Sequence, residues 1–519
     1  MFITQGLRRA AQINRNGIAT IDGERRLKWS EFAERVARLA GALHGLGLEK
    51  GGHIAILAFN SDRYLEYFFA VPWAGGVIVP LNTRLALPEL SYMLQDAEVT
   101  TLVVDEAHKN MAPIIMANTP TVKHLIYADD FDVPDGLLSH ESLVSAAQPI
   151  DDQSESENDV VGIFYTGGTT GLPKGVMLTH RNLVNNALVV LLNIYEGTPM
   201  TYLHSAPMFH IADCQWNMGV TLHGGTHVFM PKFTPEQMLK AVENYHITHC
   251  ALVPTMVNML CNFSGRENYD VSTLRGINYG GSPMPPALIA RAREAFPHWR
   301  FFQGYGQTET SPNISMLTDQ YHVIEGPNLA KVGSAGQPVF TMEVRIVGPE
   351  DDELPRGEIG EIVTRGPNVM AGYWNKPNET AVALRGGWMH TGDLGYMDED
   401  GFVYIVDRLK DMIISGGENI YSAEVESVIY QHPSVAVCAV FGIPDDKWGE
   451  AVHAVILPKE GKSISTDEIV AFCRERIASY KCPKSVEIRT KPLPMSGAGK
   501  ILKRDLRQPY WEGKERAVN

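Results

Sequence analysis

The sequence lacks an apolar run that could cross a membrane. Its longest apolar stretch, YFFAVPWAGGVIVPL at residues 67–81, is about five residues short of a spanning helix and is interrupted by Pro72 and Pro80. Residues 1–30 contain several charged side chains and no continuous apolar segment of signal-peptide length. We therefore expect a protein with no transmembrane segment and no export signal.

Cysteine is scarce, with six residues in a chain of 519, and no two of them form a CxxC pair. Cys250 and Cys438 stand in apolar runs, where a reduced, buried thiol is the expected state. This usage, together with the missing export signal, predicts a cytoplasmic protein.

Basic residues are fewer than acidic residues. Lysine and arginine total 45 against 60 acidic residues, the net charge is −15, and no block of basic residues stands out. Nucleic acid is therefore not an expected partner. With 44% apolar and 20% charged residues the composition is globular. At roughly 150 residues per domain, the length predicts two to four structural units.

What is present is an alternation of helices and strands. Residues 30–47 have helical apolar spacing and precede a strand-like run at 53–59, and the same order recurs further along the chain. This alternation predicts an α/β fold built of layers with parallel strands. Residues 357–372 change to short strands separated by glycines, which indicates a β subdomain.

The pattern changes again after Asp407, to a compact α+β unit of about 110 residues. One of its predicted helices begins with a capping box formed by Ser465 and Glu468. The predicted organisation is an N-terminal domain over residues 1–406, a hinge over 407–411 and a C-terminal domain over 412–519.

A dense loop, YTGGTTGLPKG at residues 165–175, lies between two strand-like runs. Glycines that expose backbone N–H groups, several hydroxyls and the ammonium of Lys174 converge there, which predicts a phosphate site. The loop differs from a P-loop, because Lys174 follows Pro173 and precedes a strand rather than a helix.

Two further stretches carry acids between glycines. QGYGQTET at residues 303–310 is predicted as a second loop, with Glu309 placed to act near phosphate through a divalent cation. HTGDLG at residues 390–395 offers Asp393 between tight turns, as an acceptor for a ribose diol. Taken alone, each stretch could also be an ordinary turn.

Six ordered motifs together resemble the adenylate-forming superfamily of acyl-CoA synthetases, coumarate-type ligases, luciferases and amino-acid adenylation domains. They are YTGGTTGLPKG, INYGGSPMP, QGYGQTET, HTGDLGYMDEDGFVYIVDRLKDMI, SGGENIYSAEVE and PMSGAGKILK, within about residues 28 to 506. The likeness is greatest to the fatty-acyl and aryl-CoA ligase branch. It implies a large N-terminal body of α/β layers with a β subdomain, followed by a small mobile α+β domain.

The resemblance also implies roles for individual residues. The β- and γ-phosphates of ATP would be held by Thr166, Gly167, Gly168, Thr169, Thr170, Gly171 and Lys174. The adenine would be bounded by Gly281, Ser282, Pro283, Gln303, Gly304, Tyr305 and Gly306. Thr308 would contact the α-phosphate, Glu309 with Thr166 would serve Mg²⁺, and the ribose would lie against Asp393 and Arg408. Lys500 would bridge the substrate carboxylate and the phosphate as charge shifts in the transition state.

The resemblance places the hinge at Lys410 and the CoA-binding backbone at Ser415, Gly416 and Gly417. The acyl pocket would be formed by His210 as a gate, with Ile211, Asp213, Trp216 and Gly306. Three alternatives stay open: His210 and Trp216 as core residues, and Asp213 as an acceptor for a substrate amine. If Trp216 lines the pocket, its bulk favours a short, medium-chain or compact aryl acid.

The expected activity is an AMP-forming acid–CoA ligase that uses ATP, Mg²⁺ and CoA, and a homodimer is compatible with it. Alternatives are an adenylating enzyme with another acceptor, such as a carrier-protein thiol or oxygen, a long-chain substrate, or a non-catalytic nucleotide-binding protein. Three positions depart from the family pattern: Gly168 for serine, Ala498 for threonine and Ser422 for proline. We expect them to alter rates without abolishing activity.

Overall fold

A computed structural model describes residues 1–166, 172–194, 197–281, 284–495 and 501–512. The helices are α1 (Ile3–Ile13), α2 (Trp29–Gly45), α3 (Asp62–Trp73), α4 (Leu87–Asp96), α5 (Ala112–Asn118), α6 (His140–Ala146), α7 (His180–Ile194), α8 (Ile211–His223), α9 (Pro235–Tyr245), α10 (Pro254–Cys261), α11 (Pro286–Ala295), α12 (Pro377–Ala383), α13 (Ser422–Ile429), α14 (Thr466–Arg474) and α15 (Lys503–Trp511). Ser465 and Glu468 form the predicted capping box of α14.

The strands of the first half of the chain are β1 (Ile18–Asp22), β2 (Arg25–Lys28), β3 (His53–Leu57), β4 (Val77–Pro80), β5 (Thr101–Val104), β6 (His124–Tyr127), β7 (Leu138–Ser139), β8 (Val160–Thr166), β9 (Lys174–Thr179), β10 (Thr201–His204), β11 (Thr226–Phe229) and β12 (His249–Leu252). Those of the second half are β13 (Gly276–Gly280), β14 (Arg300–Tyr305), β15 (Ser315–Leu317), β16 (Gln337–Pro338), β17 (Glu343–Val347), β18 (Gly360–Arg365), β19 (Gly372–Tyr373), β20 (Met389–Met397), β21 (Val403–Arg408), β22 (Ile413–Ser415), β23 (Glu418–Ile420), β24 (Val435–Asp445), β25 (Gly449–Pro458) and β26 (Ser485–Ile488).

The predicted α/β class is confirmed by two large sheets with parallel centres. One sheet has the strand order β16-β15-β14-β13-β12-β10-β11-β1-β2, and the other has the order β19-β9-β8-β4-β3-β5-β6-β7. In the first sheet β10 pairs in parallel with both β11 and β12. The chain leaves β10 toward one side and β12 toward the other, so the connection direction reverses between them. Such a switch point opens a crevice at the carboxyl ends of the two strands.

The described residues also form two smaller sheets, a four-stranded one (β17-β18-β20-β21) and a five-stranded one that contains β22 to β26. The four-stranded sheet corresponds to the expected β subdomain, although only one of the glycine-separated strands near residues 357–372 belongs to it. β18 belongs to the four-stranded sheet, whereas β19 pairs with β9 in a large sheet. The sequence of a short strand does not indicate which strand it pairs with. The sheet to which β18 and β19 each belong is therefore known only from the observed pairing.

The chain forms two compact units. The first comprises Met1–Val344 and Thr364–Met389, and the second comprises Arg345–Val363 and His390–Asn519. The domain limits at 406 and 411 stay a prediction. All six cysteines are free, and Cys250 and Cys438 are buried as expected. Within the part of the chain that the structure describes, no helix is long and apolar enough to cross a membrane.

Candidate active site

The strands on either side of the predicted phosphate loop form an antiparallel hairpin. Thr166 at the end of β8 pairs with Lys174 at the start of β9, and its hydroxyl lies 3.5 Å from the Lys174 carbonyl oxygen. The hairpin thus holds both ends of the loop at one place. Nine residues discussed above lie outside the described residues: Gly167, Gly168, Thr169, Thr170, Gly171, Ser282, Pro283, Ala498 and Lys500.

Lys174 and Glu309 both contact one tyrosine, Lys174 at the ring face and Glu309 at the hydroxyl. The Lys174 ammonium lies 4.4 Å from the centre of the Tyr373 ring. The Tyr373 hydroxyl donates a hydrogen bond of 2.8 Å to Glu309 Oε1. Burial and the Glu309 charge raise the pKa of Tyr373, so the phenol stays protonated and acts as the donor. The structure therefore brings the predicted phosphate-binding cation and the predicted metal-binding acid together.

Sequence reasoning missed Tyr373. The residue lies on the two-residue strand β19, opposite Val176 of β9. A single tyrosine after a glycine does not by itself indicate a functional residue. Its place beside Lys174 follows from strand pairing across nearly 200 positions of sequence.

Three of the seven residues predicted to bound the adenine lie on a strand rather than on a loop. Gln303, Gly304 and Tyr305 end β14, because Gln303 and Gly304 pair in parallel with Tyr279 and Gly280 of β13 and Tyr305 pairs with Ser315 of β15. The Gln303 amide oxygen accepts a 3.0 Å hydrogen bond from the Tyr279 hydroxyl. The prediction that residues 303–310 form one loop was wrong in its first half.

The turn itself begins at Gly306. Its φ is +155°, and a Cβ there would lie 1.8 Å from the Pro312 carbonyl oxygen, so a side chain does not fit without moving the backbone. A single helical turn, Thr308–Thr310, follows and carries Thr308 and Glu309. Gly281 directly follows the neighbouring strand β13 and has φ +76°. These glycines let the chain reverse at the carboxyl edge of the sheet.

The predicted gate, His210, is the N-cap of α8 and lies just beyond the carboxyl end of β10. Its Nδ1 accepts a 3.2 Å hydrogen bond from the Ala212 N–H. Ile211 is the first residue of the helix and is buried. This places the gate at the crevice of the switch point between β10 and β12.

Asn60 holds the segment that leads to His210, and sequence reasoning missed it as well. Its Nδ2 donates to the carbonyl oxygens of His204 at 2.9 Å and Ala206 at 2.8 Å. Its Oδ1 accepts from the Met208 N–H at 2.8 Å. A buried asparagine after β3 thus links the two large sheets at the gate.

Asp213 is fully buried, and both of its oxygens are engaged. Oδ1 accepts from the Tyr202 hydroxyl at 3.1 Å, and Oδ2 lies 2.6 Å from His204 Nδ1. This series of hydrogen bonds continues from His204 to His227, with 2.9 Å between His204 Nε2 and His227 Nδ1. Burial, aided by His204, holds the pKa of His227 well below its ordinary value. This geometry disfavours Asp213 as the acceptor for a substrate amine.

Trp216 is 1% exposed and belongs to an apolar cluster with residues of α7, β10 and β15. Its indole stacks on the Tyr202 ring, with centres 4.7 Å apart and planes at 19°. The Tyr202 hydroxyl in turn donates to Asp213. The buried Tyr202 therefore contacts α8 at both Asp213 and Trp216. Whether the other face of Trp216 bounds the acyl pocket stays a prediction.

The predicted ribose-binding pair lies in the second unit. Asp393 and Arg408 are opposite each other on β20 and β21, and Arg408 Nε lies 2.5 Å from Asp393 Oδ1. Asp393 is on a nine-residue strand, which corrects the expected pair of tight turns. Gly392 takes φ +69° inside that strand, a left-handed conformation that favours glycine.

Lys410, the predicted hinge residue, follows β21. Burial is the main cause that lowers its pKa to about 8, and the neighbouring Arg408 and Arg507 charges act in the same direction against the opposing effect of Asp411. At the predicted CoA site, Ser415 ends β22, and Gly416 and Gly417 form the turn to β23 with φ +63° and +85°. Two positive φ angles in a two-residue hairpin turn favour glycine at both places.

The departure at position 422 has a structural explanation. The Ser422 hydroxyl donates to Asp407 Oδ1 at 3.1 Å and accepts from Lys503 Nζ at 2.7 Å, and the Ser422 N–H also donates to Asp407. Lys503 further pairs with Glu426 at 2.8 Å. A proline has neither this N–H nor a hydroxyl, so serine makes bonds that the usual residue cannot make.

The fold and the site define an enzyme that adenylates a carboxylic acid. The model of the AMP-binding enzyme family matches residues 7–374, and that of the AMP-binding enzyme C-terminal domain matches residues 424–500. The chain belongs to this family. It is an AMP-forming acid–CoA ligase that uses ATP and CoA and acts on a small-molecule carboxylic acid.

Relatives match over nearly the whole chain. A feruloyl-CoA synthase of an Amycolatopsis species is 42% identical over 97% of this chain and 98% of its own. A 2-succinylbenzoate–CoA ligase of Bacillus cereus is 37% identical over 93% of this chain and 94% of its own. Among solved structures, the o-succinylbenzoate CoA synthetase of Bacillus subtilis with its acyl-adenylate intermediate has a TM-score of 0.84 and 32% identity, covering 96% of this chain and 97% of its own.

Proposed function

We propose that this ligase activates a compact aryl acid, or a short- to medium-chain acid, and that it uses MgATP for the first half-reaction. The observation that carries the proposal is the convergence of Lys174 and Glu309 around Tyr373, next to the hairpin that holds the phosphate loop. The proposed phosphate-binding cation and the proposed metal-binding acid then belong to one site in the first unit.

The residues present fit Mg²⁺. Among the described residues, the Glu309 carboxylate has one hydrogen-bond donor, Tyr373 at Oε1, which leaves Oε2 for a ligand. Mg²⁺ is usually held by one or two carboxylates together with substrate phosphates and water. When bound, the ion would neutralise phosphate charge and orient the leaving pyrophosphate. Thr166 would add a hydroxyl at the same end of the hairpin.

Two bond exchanges make up the proposed reaction. In the first, a carboxylate oxygen of the acid attacks the α-phosphorus of ATP, and the bond to pyrophosphate breaks. In the second, the CoA sulfur attacks the carbonyl carbon of the acyl-adenylate, and AMP leaves with the bonding electron pair. Lys174 and Thr308 would hold phosphate oxygens, and Lys500 would neutralise charge where the new bond forms. The glycine turn at residues 416–417 would admit pantetheine close to the backbone.

The size of the acid is argued from the gate helix. His210 is the N-cap of α8, and Trp216 lies six positions further along the chain, packed on Tyr202. An indole at this place occupies volume that a long chain would require. The likeness to a feruloyl-CoA synthase over almost the entire chain supports an aryl acid rather than a long fatty acid.

A screen of AMP release tests the proposal. Short, medium and long fatty acids and aryl propenoic acids would be compared with and without CoA. We expect the highest kcat/KM for an aryl propenoic or short-to-medium acid, and AMP release that requires CoA for turnover. A long-chain fatty acid as the best substrate would contradict the size argument. Steady turnover without CoA would contradict the acceptor.

Asp393→Ala is expected to weaken ATP binding by about 1–3 kcal/mol, because a ribose hydroxyl and Arg408 would each lose a hydrogen-bond partner. Calorimetric titration with ATP measures the change. Glu353→Ala is a matched control, since it removes the acid of another arginine pair in the same unit, Arg345–Glu353 at 3.3 Å. An unchanged ATP affinity in Asp393→Ala would place the ribose elsewhere.

Oligomeric state and location stay predictions. We propose a homodimer, which sedimentation equilibrium would test, and a cytoplasmic location, which fractionation of the source cells would test. Neither is needed for the site, because every proposed contact above is made by residues of one chain.

A further inference from the structure

We propose that Tyr373 is a positioning residue for the metal site: its hydroxyl orients Glu309 toward the ion, and its ring keeps Lys174 apart from that carboxylate. The inference rests on the proposed roles of Lys174 and Glu309 and adds a residue to which neither the motifs nor the family match assigns a role. It concerns residues of the first unit alone.

Hydrogen bonds fix the backbone that carries the Tyr373 ring. Tyr373 pairs with Val176 of β9, and its N–H donates to Thr380 Oγ1 at 2.9 Å. The next residue, Trp374, donates through its N–H to the Gly175 carbonyl oxygen at 2.8 Å and through its indole to the Asp96 carbonyl oxygen at 2.8 Å. The Tyr373 side chain therefore has little freedom of its own, and it is 7% exposed.

Glu309 is equally constrained. It lies in the single helical turn Thr308–Thr310, and its carbonyl oxygen accepts from the Met370 N–H at 2.9 Å. Its carboxylate is almost buried, at 8% exposure for the residue. One bond at 2.8 Å from Tyr373 then determines which oxygen is engaged and which one is directed elsewhere. Partners of this kind orient a metal-binding carboxylate and commonly affect metal affinity.

A tyrosine suits this place for an electrostatic reason. A cationic donor next to Glu309 would neutralise the carboxylate and compete with a metal ion for it. The phenol donates a hydrogen bond while it remains uncharged. Its ring face attracts the Lys174 ammonium, at 4.4 Å from the centre. No ion pair joins Lys174 and Glu309 within the described part of the chain, so each charge stays available to the nucleotide and its metal ion.

Two variants separate the two parts of the proposal. Tyr373→Phe keeps the ring and removes only the hydroxyl, whereas Tyr373→Leu removes both. We expect Tyr373→Phe to lower the affinity of the enzyme–nucleotide complex for a divalent ion by about 10–100-fold. ATP binding in EDTA should stay within twofold of the wild type. Tyr373→Leu should show the same loss and should also change ATP binding in EDTA, because Lys174 loses its aromatic contact.

The measurement is a binding titration rather than an activity assay. Mn²⁺ is titrated into the full-length enzyme with a non-hydrolysable ATP analogue, and free Mn²⁺ is followed by electron paramagnetic resonance. The matched control is Tyr127→Phe, which removes another tyrosine bond to a carboxylate, that of Glu106, on a distant strand of the same sheet. This control should leave Mn²⁺ affinity unchanged.

Glu309→Gln distinguishes the inference from the function on which it rests. If Glu309→Gln lowers Mn²⁺ affinity and Tyr373→Phe does not, the positioning role is wrong and the metal role of Glu309 stands. If neither variant changes the affinity, the metal role and the inference built on it are both wrong. In the Glu309→Gln background, Tyr373→Phe should add no further loss. An additional loss there would show that Tyr373 acts by another route.

Discussion

Replacement of Lys500 by alanine is expected to slow adenylation by about 100-fold or more, the size of effect seen when one preorganised charge is removed from a transition state. The thioester half-reaction, started from a supplied acyl-adenylate and CoA, should lose far less. Negative charge shifts between carboxylate and phosphate only in the first step. Lys500 therefore stabilises the transition state of that step and not that of the second.

The two half-reactions are measured separately. Exchange of labelled pyrophosphate into ATP reports the first, and single-turnover formation of acyl-CoA from synthetic acyl-adenylate reports the second. Lys491→Ala is the control, since it removes an exposed lysine nine positions earlier in the same unit. Equal losses in both half-reactions would contradict the assigned role and would point to a fault in folding or in nucleotide binding.

Trp216→Ala is expected to shift substrate preference toward longer acids. If the indole bounds the pocket, its removal opens volume for additional methylenes, each of which contributes about 0.8 kcal/mol when buried. Two such groups correspond to about a tenfold change in kcat/KM. The quantity to compare is the ratio of kcat/KM for a C12 acid to that for a C4 acid, in variant and wild type.

Stability has to be controlled in this experiment. Trp216 packs on Tyr202 inside an apolar cluster, so its truncation costs about 3–5 kcal/mol. Both proteins are therefore assayed at a temperature at which both are folded. Trp299→Ala is a matched control, because Trp299 is equally buried and is stacked on Phe296 at 3.9 Å, before the start of β14. A ratio that does not rise in Trp216→Ala would make Trp216 a core residue and remove the size argument.

Local patterns predicted the elements well where one segment carries its own signal. The helical spacing of residues 30–47 corresponds to α2, and the dense loop between two strand-like runs corresponds to the β8–β9 hairpin. The same local reasoning made residues 303–305 and 390–395 into loops. Both are strands, because pairing with β13 and β21 satisfies their backbone groups better than a turn would.

The sequence by itself determined the family, the α/β class and the chemical character of the site. Glycine, hydroxyl and lysine content at residues 165–175, and single acids at Glu309 and Asp393, are properties of short segments, and their order along the chain sufficed to identify an adenylating enzyme.

Tertiary structure alone decided which of these residues meet and what supports them. Tyr373 contacts both Lys174 and Glu309, Asn60 holds the segment before His210, and Ser422 joins Asp407 to Lys503. Each contact joins positions that are far apart in sequence, and strand pairing and burial create it. No periodicity or composition of one segment encodes such a contact, because its free energy depends on both partners at once.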